Sequence, residues 1–370
     1  MDKIRYNMKI ALLSYNLQYK HSGQTRFLVN MAKGLKNLNQ EVSVYSLNID
    51  DEIKSVFDSQ NIIYYSMDLS NTILTKLFVL NNSFKLAKKL AYLIKKNDYS
   101  DFYITLADES LPVIKFIKTQ DKKYIYLSQG DLSLLYFNKL YIYKYGLLWK
   151  LLSRSMIKHI WFNSELAHMY DMVLGNSKFT SNIMSFVYNM PFSGFVYPPV
   201  DDSFKLSGYK EDEKYMLAIL RNSNEPSYPY IKKLSKKIKI KIIGGATVDN
   251  CENYGFISEK KLIDLYSGAE AILSLNPQEF YGYSIAESLS CGTPVLSFDT
   301  AGAQELIKDG YNGWLVPDEK VMNEKVISIM KEGYDVQIRE NALKSSKDYT
   351  IESSAQKLLY YLKGINHYDK

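Results

Sequence analysis

The stretch SLNPQEFYGYSIAESLSCGTPVLSF, Ser274 to Phe298, sets the fold of everything around it. It continues the apolar run AILSL (271–275), which has the length of a buried strand. The loop NPQEFYG then leads to a short helix that begins near Gly282 and is ended by Gly292, with Pro294 beyond as a stop signal. PVLSF (294–298) is the next strand. A strand, a helix and a second strand in that order form a parallel pair joined by a right-handed crossover.

The same alternation runs outward in both directions. Upstream it reads MKIALLS (8–14), a helix on Phe27, Leu28, Met31 and Leu35, EVSVYSL (41–47), a short strand at 62–65, a helix over 83–96, DFYITL (101–106), a helix over 111–119, and KYIYLS (123–128). Consecutive prolines in FVYPPVDDSF (195–204) interrupt it, because proline lacks a ladder donor and holds the chain extended. KYMLAIL (214–220), a helix at 228–237, KIKIIG (239–244), a helix at 259–267, a helix at 301–307, a strand at 313–316 and helices over 321–363 complete the chain. The fold class is therefore α/β, with two Rossmann-like parallel-sheet domains in tandem. The expected division is 1–198, 199–345 and a C-terminal helix, 346–370, packing back on the first domain. Open parallel sheets take ligands at the carboxyl ends of their strands, so the expected site is an interdomain cleft.

With 370 residues, 46% of them hydrophobic, the chain is long enough for two cores. Cys251 and Cys291 are too few for a disulfide framework, and the four histidines form no ligand-spaced cluster with them, so no metal is expected. The N-terminal residues have no signal-peptide order, and no window has the roughly 18 apolar residues of a spanning helix, so a cytoplasmic location is expected. A net charge of +6 is mild. One segment departs from it: 132–164 contains no Asp or Glu, while Lys139, Lys144, Lys150, Arg154 and Lys158 alternate with aromatics that include Trp149 and Trp161. That composition suits an anionic membrane surface on the inner face of the membrane, or else a buried helix whose lysines snorkel. No recognised nucleic-acid module accompanies it.

Glu279 sits in the loop at a strand's carboxyl end. At roughly 100° per residue, Glu287 lies about 200° from Ile285 and Leu289 and is expected to face off the sheet, toward a cleft or solvent. Unbonded N–H groups at the helix start, with Gly282 allowing close approach, offer an anion site between the two glutamates. The residues alone leave three readings: an acid/base pair as in glycosidases, whose carboxyls stand roughly 5 to 10 Å apart; a clamp on a phosphate-bearing ligand; or a loop cap and a surface charge. A nicotinamide fold would need G-x-G-x-x-G, and a metal-dependent transferase Asp-x-Asp; neither occurs.

The pattern E-F-Y-G-x-S-x-A-E-S-x-x-x-G-T-P-V resembles the donor-site signature of retaining GT-B glycosyltransferases of family 4, whose two glutamates are separated by seven residues, as Glu279 and Glu287 are. YGFISEKKLIDLYSGAEAILSL before it, FDTAGAQELIKDGYNGWLVPD after it, GNSKFTSNIM with VYPPVD, and HSGQTRFLVNMAKGLKNLNQEVSVYS are similar to other parts of that family. The resemblance implies transfer of a hexose-type sugar from a nucleotide-diphosphate sugar to a hydroxyl of a glycan or lipid-linked acceptor, with retention, no bound metal and no cofactor beyond that co-substrate. By the family pattern Glu287 would hold the ribose, Glu279 the sugar hydroxyls near the reacting centre, and Phe280, Tyr281, Gly282, Tyr283 and Ser284 would face diphosphate and sugar. Gly23 matches the first-domain loop that approaches the diphosphate, Arg221 the arginine that neutralises it, and Phe256 a backbone contact to the base.

Two positions depart from the pattern. Where the family has a lysine about six residues after the arginine, this chain has Ser227, with Lys232 and Lys233 beyond it as substitutes. Where many members carry a histidine after the strand KYIYLS, this chain has Gln129, able to contact acceptor or sugar but not to act as a base. These departures give the alternative reading: a pseudo-enzyme that binds a nucleotide-sugar or glycan without turning it over.

Overall fold

The computed structural model describes residues 7–18, 23–69, 79–106, 108–130, 158–225, 227–276 and 279–367. Of the basic aromatic segment 132–164, residues 132–157 lie outside the described residues. The chain divides into two compact units, Met1–Pro199 with Ile351–Lys370, and Val200–Thr350.

The first unit runs β1 (Lys9–Leu17), α1 (Gly23–Asn37), β2 (Glu41–Ile49), α2 (Asp51–Ser59), β3 (Ile63–Tyr65), α3 (Val79–Lys96), β4 (Phe102–Leu106), a 3-10 turn (Asp108–Val113), α4 (Ile114–Ile117), β5 (Lys123–Ser128), a helical stretch 158–167, β6 (Met172–Gly175), α5 (Lys178–Tyr188) and β7 (Gly194–Phe195). Its seven strands are parallel, in the order β3-β2-β1-β4-β5-β6-β7. The strands are buried on both faces, which is why β1, β4 and β5 read as unbroken apolar runs and not as alternation. Tyrosine does much of the filling. Tyr103 and Tyr124 stack at 5.4 Å, and the buried hydroxyls find backbone partners, Tyr45 on the Asn97 carbonyl at 2.7 Å and Tyr124 on that of Ile117 at 2.6 Å.

The second unit runs β8 (Met216–Ile219), α6 (Tyr228–Leu234), β9 (Ile240–Ile243), β10 (Glu252–Asn253), α7 (Glu259–Gly268), β11 (Ala271–Ser274), α8 (Tyr283–Ser290), β12 (Val295–Phe298), α9 (Ala303–Leu306), β13 (Gly313–Val316), α10 (Glu319–Glu332), α11 (Gln337–Ser345) and a 3-10 turn (Ser346–Tyr349). Six parallel strands take the order β10-β9-β8-β11-β12-β13. The opening stretch is therefore β11–α8–β12, with β11 next to β8, so that the loops after these two strands emerge side by side.

Six elements differ from the sequence reading: β1 extends to Leu17, and α2, β6, α5, β7 and β10 were not expected. Helix α2 buries only Ile53 and Phe57, too few positions to stand out by periodicity, and β6 and β10 are four and two residues long. The helical region after 321 breaks at Gly333, whose φ of +78° ends α10.

The last helix, α12 (Ile351–His367), belongs to the first unit and packs on α1. The contact is backbone-close: a Cβ on Gly34 would lie 2.7 Å from the Ile351 carbonyl oxygen and 2.8 Å from the Ala355 Cβ. Gly34→Ala should therefore cost about 1–3 kcal/mol through overpacking and lower the first unit's thermal midpoint by several degrees. Gly364→Ala, where nothing lies within 4 Å, should not. Equal midpoints for the two variants, read by calorimetry, would remove the close packing as a stability determinant.

Candidate functional site

Most of the residues singled out by sequence lie in the second unit, at the carboxyl ends of β8, β9 and β11. Arg221 follows β8 by two residues. Its backbone N–H donates to the Glu225 carboxylate at 2.8 Å, which shapes the turn, while its exposed guanidinium forms no ion pair among the described residues. Beside it, β9 ends in Gly244–Gly245. A Cβ at Gly244 would meet the Leu220 carbonyl oxygen at 2.3 Å, and one at Gly245 the Arg221 carbonyl oxygen at 2.5 Å. The Gly244 N–H donates to the Gly255 carbonyl at 2.9 Å, bringing in the loop that carries Phe256, 68% exposed, with its ring beside Gly245.

The β11 loop comes next. The Glu279 side chain accepts from Asn276 Nδ2 at 3.2 Å, and its Cγ lies so close to Gly282 that a Cβ there would sit 3.2 Å from it and 2.8 Å from Ile285 Cδ1. Gly282 has φ +93°, a conformation that favours glycine, and precedes α8 with no side-chain cap on that helix. The N–H groups of Ile285 and Ala286 already bond the Gly282 carbonyl, so Tyr283 and Ser284 are the first-turn residues that bear on an incoming anion. Tyr281 is buried and meets Tyr283 edge to face at 5.7 Å, which fixes the chain direction into the helix. From the β12 side, the Gly302 N–H donates to the Glu279 carbonyl at 2.8 Å, and a Cβ on Gly302 would lie 2.6 Å from the Phe280 carbonyl oxygen.

Burial pushes the Glu279 carboxyl above the usual glutamate range, while the nearby Arg221 guanidinium and the Asn276 amide pull it back. Glu279 as a residue is only partly covered, but desolvation is the largest influence on its acid group. Glu287 requires a correction. It does not face open solvent: it is 3% exposed, and its carboxylate accepts a hydrogen bond from the Tyr266 hydroxyl at 3.0 Å. Helices α7 and α11 both pack on α8, which the angular position of one residue on one helix does not reveal.

Lys232, one of the expected substitutes for the missing lysine, is engaged elsewhere, with its ammonium 2.8 Å from Asp249. Lys233 lies in the last turn of α6.

Gly23 and Gln129 belong to the first unit. Gly23 opens α1, and Gln129 follows β5. The Gln129 carbonyl oxygen of the side chain accepts from Asn176 Nδ2 at 3.3 Å, whereas its buried Nε2 has no hydrogen-bond partner among the described residues. Gln24, next to Gly23, donates to Ser14 Oγ and the Leu106 carbonyl, each at 3.4 Å, and to Glu109. Glu109 was missed by the sequence reading. It lies in the 3-10 turn at the end of β4, and burial raises its carboxyl above the usual range. The available signal was an acidic pair directly after a buried strand, in TLADES.

A carboxyl whose folded pKa is raised contributes stability that is fully present below its unfolded pKa and lost as pH rises through the folded one. At pH 7.5 Glu279 therefore destabilises the fold. Glu279→Gln should raise the thermal midpoint at pH 7.5, with the gain shrinking as pH is lowered toward 5. A lower or unchanged midpoint at pH 7.5 would refute the desolvation argument.

Residues 205–346 match the family model for glycosyl transferases group 1. The GtfA subunit of a UDP-N-acetylglucosamine–peptide N-acetylglucosaminyltransferase from Streptococcus pneumoniae is 30% identical over 97 residues, 25% of this chain and 19% of that protein. A probable sucrose-phosphate synthase from Thermosipho melanesiensis is 28% identical over 162 residues, 43% of this chain and 36% of that protein. The matches thus span between about a fifth and just over a third of these relatives. Among solved structures, the sucrose-phosphate synthase of Thermosynechococcus elongatus superposes with a TM-score of 0.75 at 14% identity, covering 97% of this chain and 99% of that one. Anabaena HepE in complex with UDP gives 0.73 at 15% identity, covering 96% and 100%. The chain has the two-sheet GT-B fold of the glycosyltransferases it superposes on, and its second unit carries the glycosyl transferases group 1 match.

Proposed function

We propose that the protein is a retaining glycosyltransferase of family 4 that moves a hexose-type sugar, without a bound metal, from a nucleotide-diphosphate sugar to a hydroxyl of a glycan or lipid-linked acceptor. One arrangement carries this reading. An exposed arginine with no ion-pair partner among the described residues, a helix N-terminus without a side-chain cap, and a desolvated glutamate converge on one loop edge of the second unit.

A nucleotide-sugar presents an anion beside a polyol. The diphosphate suits the Arg221 guanidinium and the N–H groups at Tyr283 and Ser284, while the sugar hydroxyls suit Glu279. Glu287, held by Tyr266, is assigned to the ribose and Phe256 to the base. In the transfer, the acceptor oxygen attacks the anomeric carbon on the face the diphosphate leaves. The bond from that carbon to the phosphate oxygen breaks, and the acceptor proton passes to the departing diphosphate. Charge grows on the diphosphate as the bond lengthens, so Arg221 acts most strongly in the transition state. In the first unit, Gly23 is assigned to the diphosphate, and the unpartnered Gln129 Nε2 to an oxygen of acceptor or sugar. Because a solved relative binds UDP and UDP-glucose, UDP-sugars are the first donors to test.

Arg221→Ala should lower kcat by roughly 10²–10³ while weakening UDP binding only modestly, as expected when one charge-stabilising donor is lost. Unchanged turnover would remove Arg221 from the site. A screen of UDP-, GDP- and ADP-sugars should show one donor raising the thermal midpoint well above the others. Stabilisation by a nucleotide-sugar with no transfer to any of a broad panel of acceptors would instead support the pseudo-enzyme.

A further inference from the structure

The chain has a second long acid-free run. Between Asp68 and Asp98 there is no Asp or Glu, and α3 lies inside this interval. Its inward side, Ser83, Ala87, Leu90, Ala91 and Ile94, is buried against the first sheet. At roughly 100° per residue, the exposed positions between residues 83 and 96 all fall on one outward arc of about 140°. Five of them are lysines, Lys85, Lys88, Lys89, Lys95 and Lys96, none with a carboxylate partner among the described residues. The other two are Phe84 and Tyr92, 38% and 62% exposed.

The arc continues onto neighbouring elements with the same chemistry. Phe84 lies 5.2 Å from Phe162 and 6.3 Å, edge on, from Phe116. Lys115 sits over Phe84 at 5.5 Å and over Phe162 at 5.4 Å. Next to Phe162 in the chain, Trp161 is 73% exposed. A solvated helix face ordinarily mixes acids with bases, which form i,i+4 pairs and keep the surface neutral. This one excludes acids and keeps large aromatics in water.

We propose that the outward arc of α3, with Trp161 beside it, docks the protein on an anionic phospholipid bilayer. Lysine ammonium groups are drawn to the negative surface potential of such a bilayer, and their stems lie along apolar surface while the charge stays in water. Exposed Phe, Tyr and Trp are side chains that the interfacial layer accepts. Nucleic acid fits less well, since the arc has no arginine, asparagine or glutamine to reach base edges. The inference uses described residues outside 132–157 and does not depend on the transferase reading.

The test is sedimentation of the full chain with vesicles of phosphatidylcholine, alone or with 30% phosphatidylglycerol, at low and high salt. Three variants join the wild type: all five α3 lysines changed to Gln; Tyr92→Ser with Trp161→Ser; and Lys144, Lys150 and Arg154 changed to Gln. Matching thermal midpoints confirm that all are folded. Binding should require phosphatidylglycerol and fade with salt. It should drop at least tenfold in the α3 variant, and also in the aromatic variant, whose charge is unchanged. The proposal is overturned if vesicles do not bind at low salt, if the α3 variant binds like wild type, if only the 144/150/154 variant loses binding, or if duplex or single-stranded nucleic acid displaces the protein from vesicles at stoichiometric amounts.

Discussion

At the carboxyl edge of the second sheet, four loops touch backbone to backbone in two pairs, and the rest of the site depends on that closeness. Gly244 and Gly245 lie against the carbonyls of Leu220 and Arg221, and Gly302 lies against those of Glu279 and Phe280, at separations that admit no Cβ. A glycine in such a place does more than allow a turn. It removes the atom that would hold two strand ends a further ångström or more apart, while the direct pairing of β8 with β11 brings the side chains of their loops within electrostatic reach. The influence of Arg221 on the Glu279 carboxyl follows from that spacing.

What these loops present is costly in the absence of a ligand. Glu279 is desolvated without a salt bridge, an arginine stands unpaired, and a helix begins with no side-chain cap. Each departs from what stability alone would select. Elsewhere the same unit follows the rule for buried charge, although α6, α9 and α11 also begin without a side-chain cap. Lys241, on β9, is fully buried yet bonded to Glu211 and within 3.6 Å of Glu252, with the Tyr215 ring 4.1 Å away. Asp318 caps α10 through two backbone N–H groups, and Ser258 caps α7. A desolvated glutamate beside an exposed arginine, in a unit whose buried Lys241 is ion-paired, is where binding energy from outside can be spent.

The fold was legible because hydrophobic periodicity is a local signal: AILSL, PVLSF, KYIYLS and the α1 stripe each announce their element within a few residues. The loop between β11 and α8 drew attention through resemblance, since Glu279, Gly282 and Glu287 lie within nine residues of one another. What escaped is non-local. The need for glycine at 244, 245 and 302 is set by backbone more than twenty residues away along the chain. The burial of Glu287 is set by Tyr266 on a different helix, and that of Lys241 by Glu211, thirty residues upstream. Glu109 escaped for a related reason, because only the fold places Gln24 against it. The acid-free interval around α3 was visible as composition, but its meaning depended on which lysines face out, which α3 packing decides.

The first unit bears on the departure at position 129. A histidine there would supply an imidazole able to exchange a proton; Gln129 supplies an amide whose oxygen is tied to Asn176 and whose nitrogen is unpaired. An amide nitrogen donates and does not accept, so it orients an oxygen without deprotonating it. A carboxyl near this edge, Glu109, has its pKa raised by burial, with Gln24 acting in the opposite direction. In a mechanism where the departing diphosphate takes the acceptor proton, no side-chain base is required, and an amide at position 129 is sufficient. Under the proposed function the requirement that remains falls on the second unit, because a diphosphate can take that proton only as its own negative charge develops, and Arg221 is the group assigned to hold that charge.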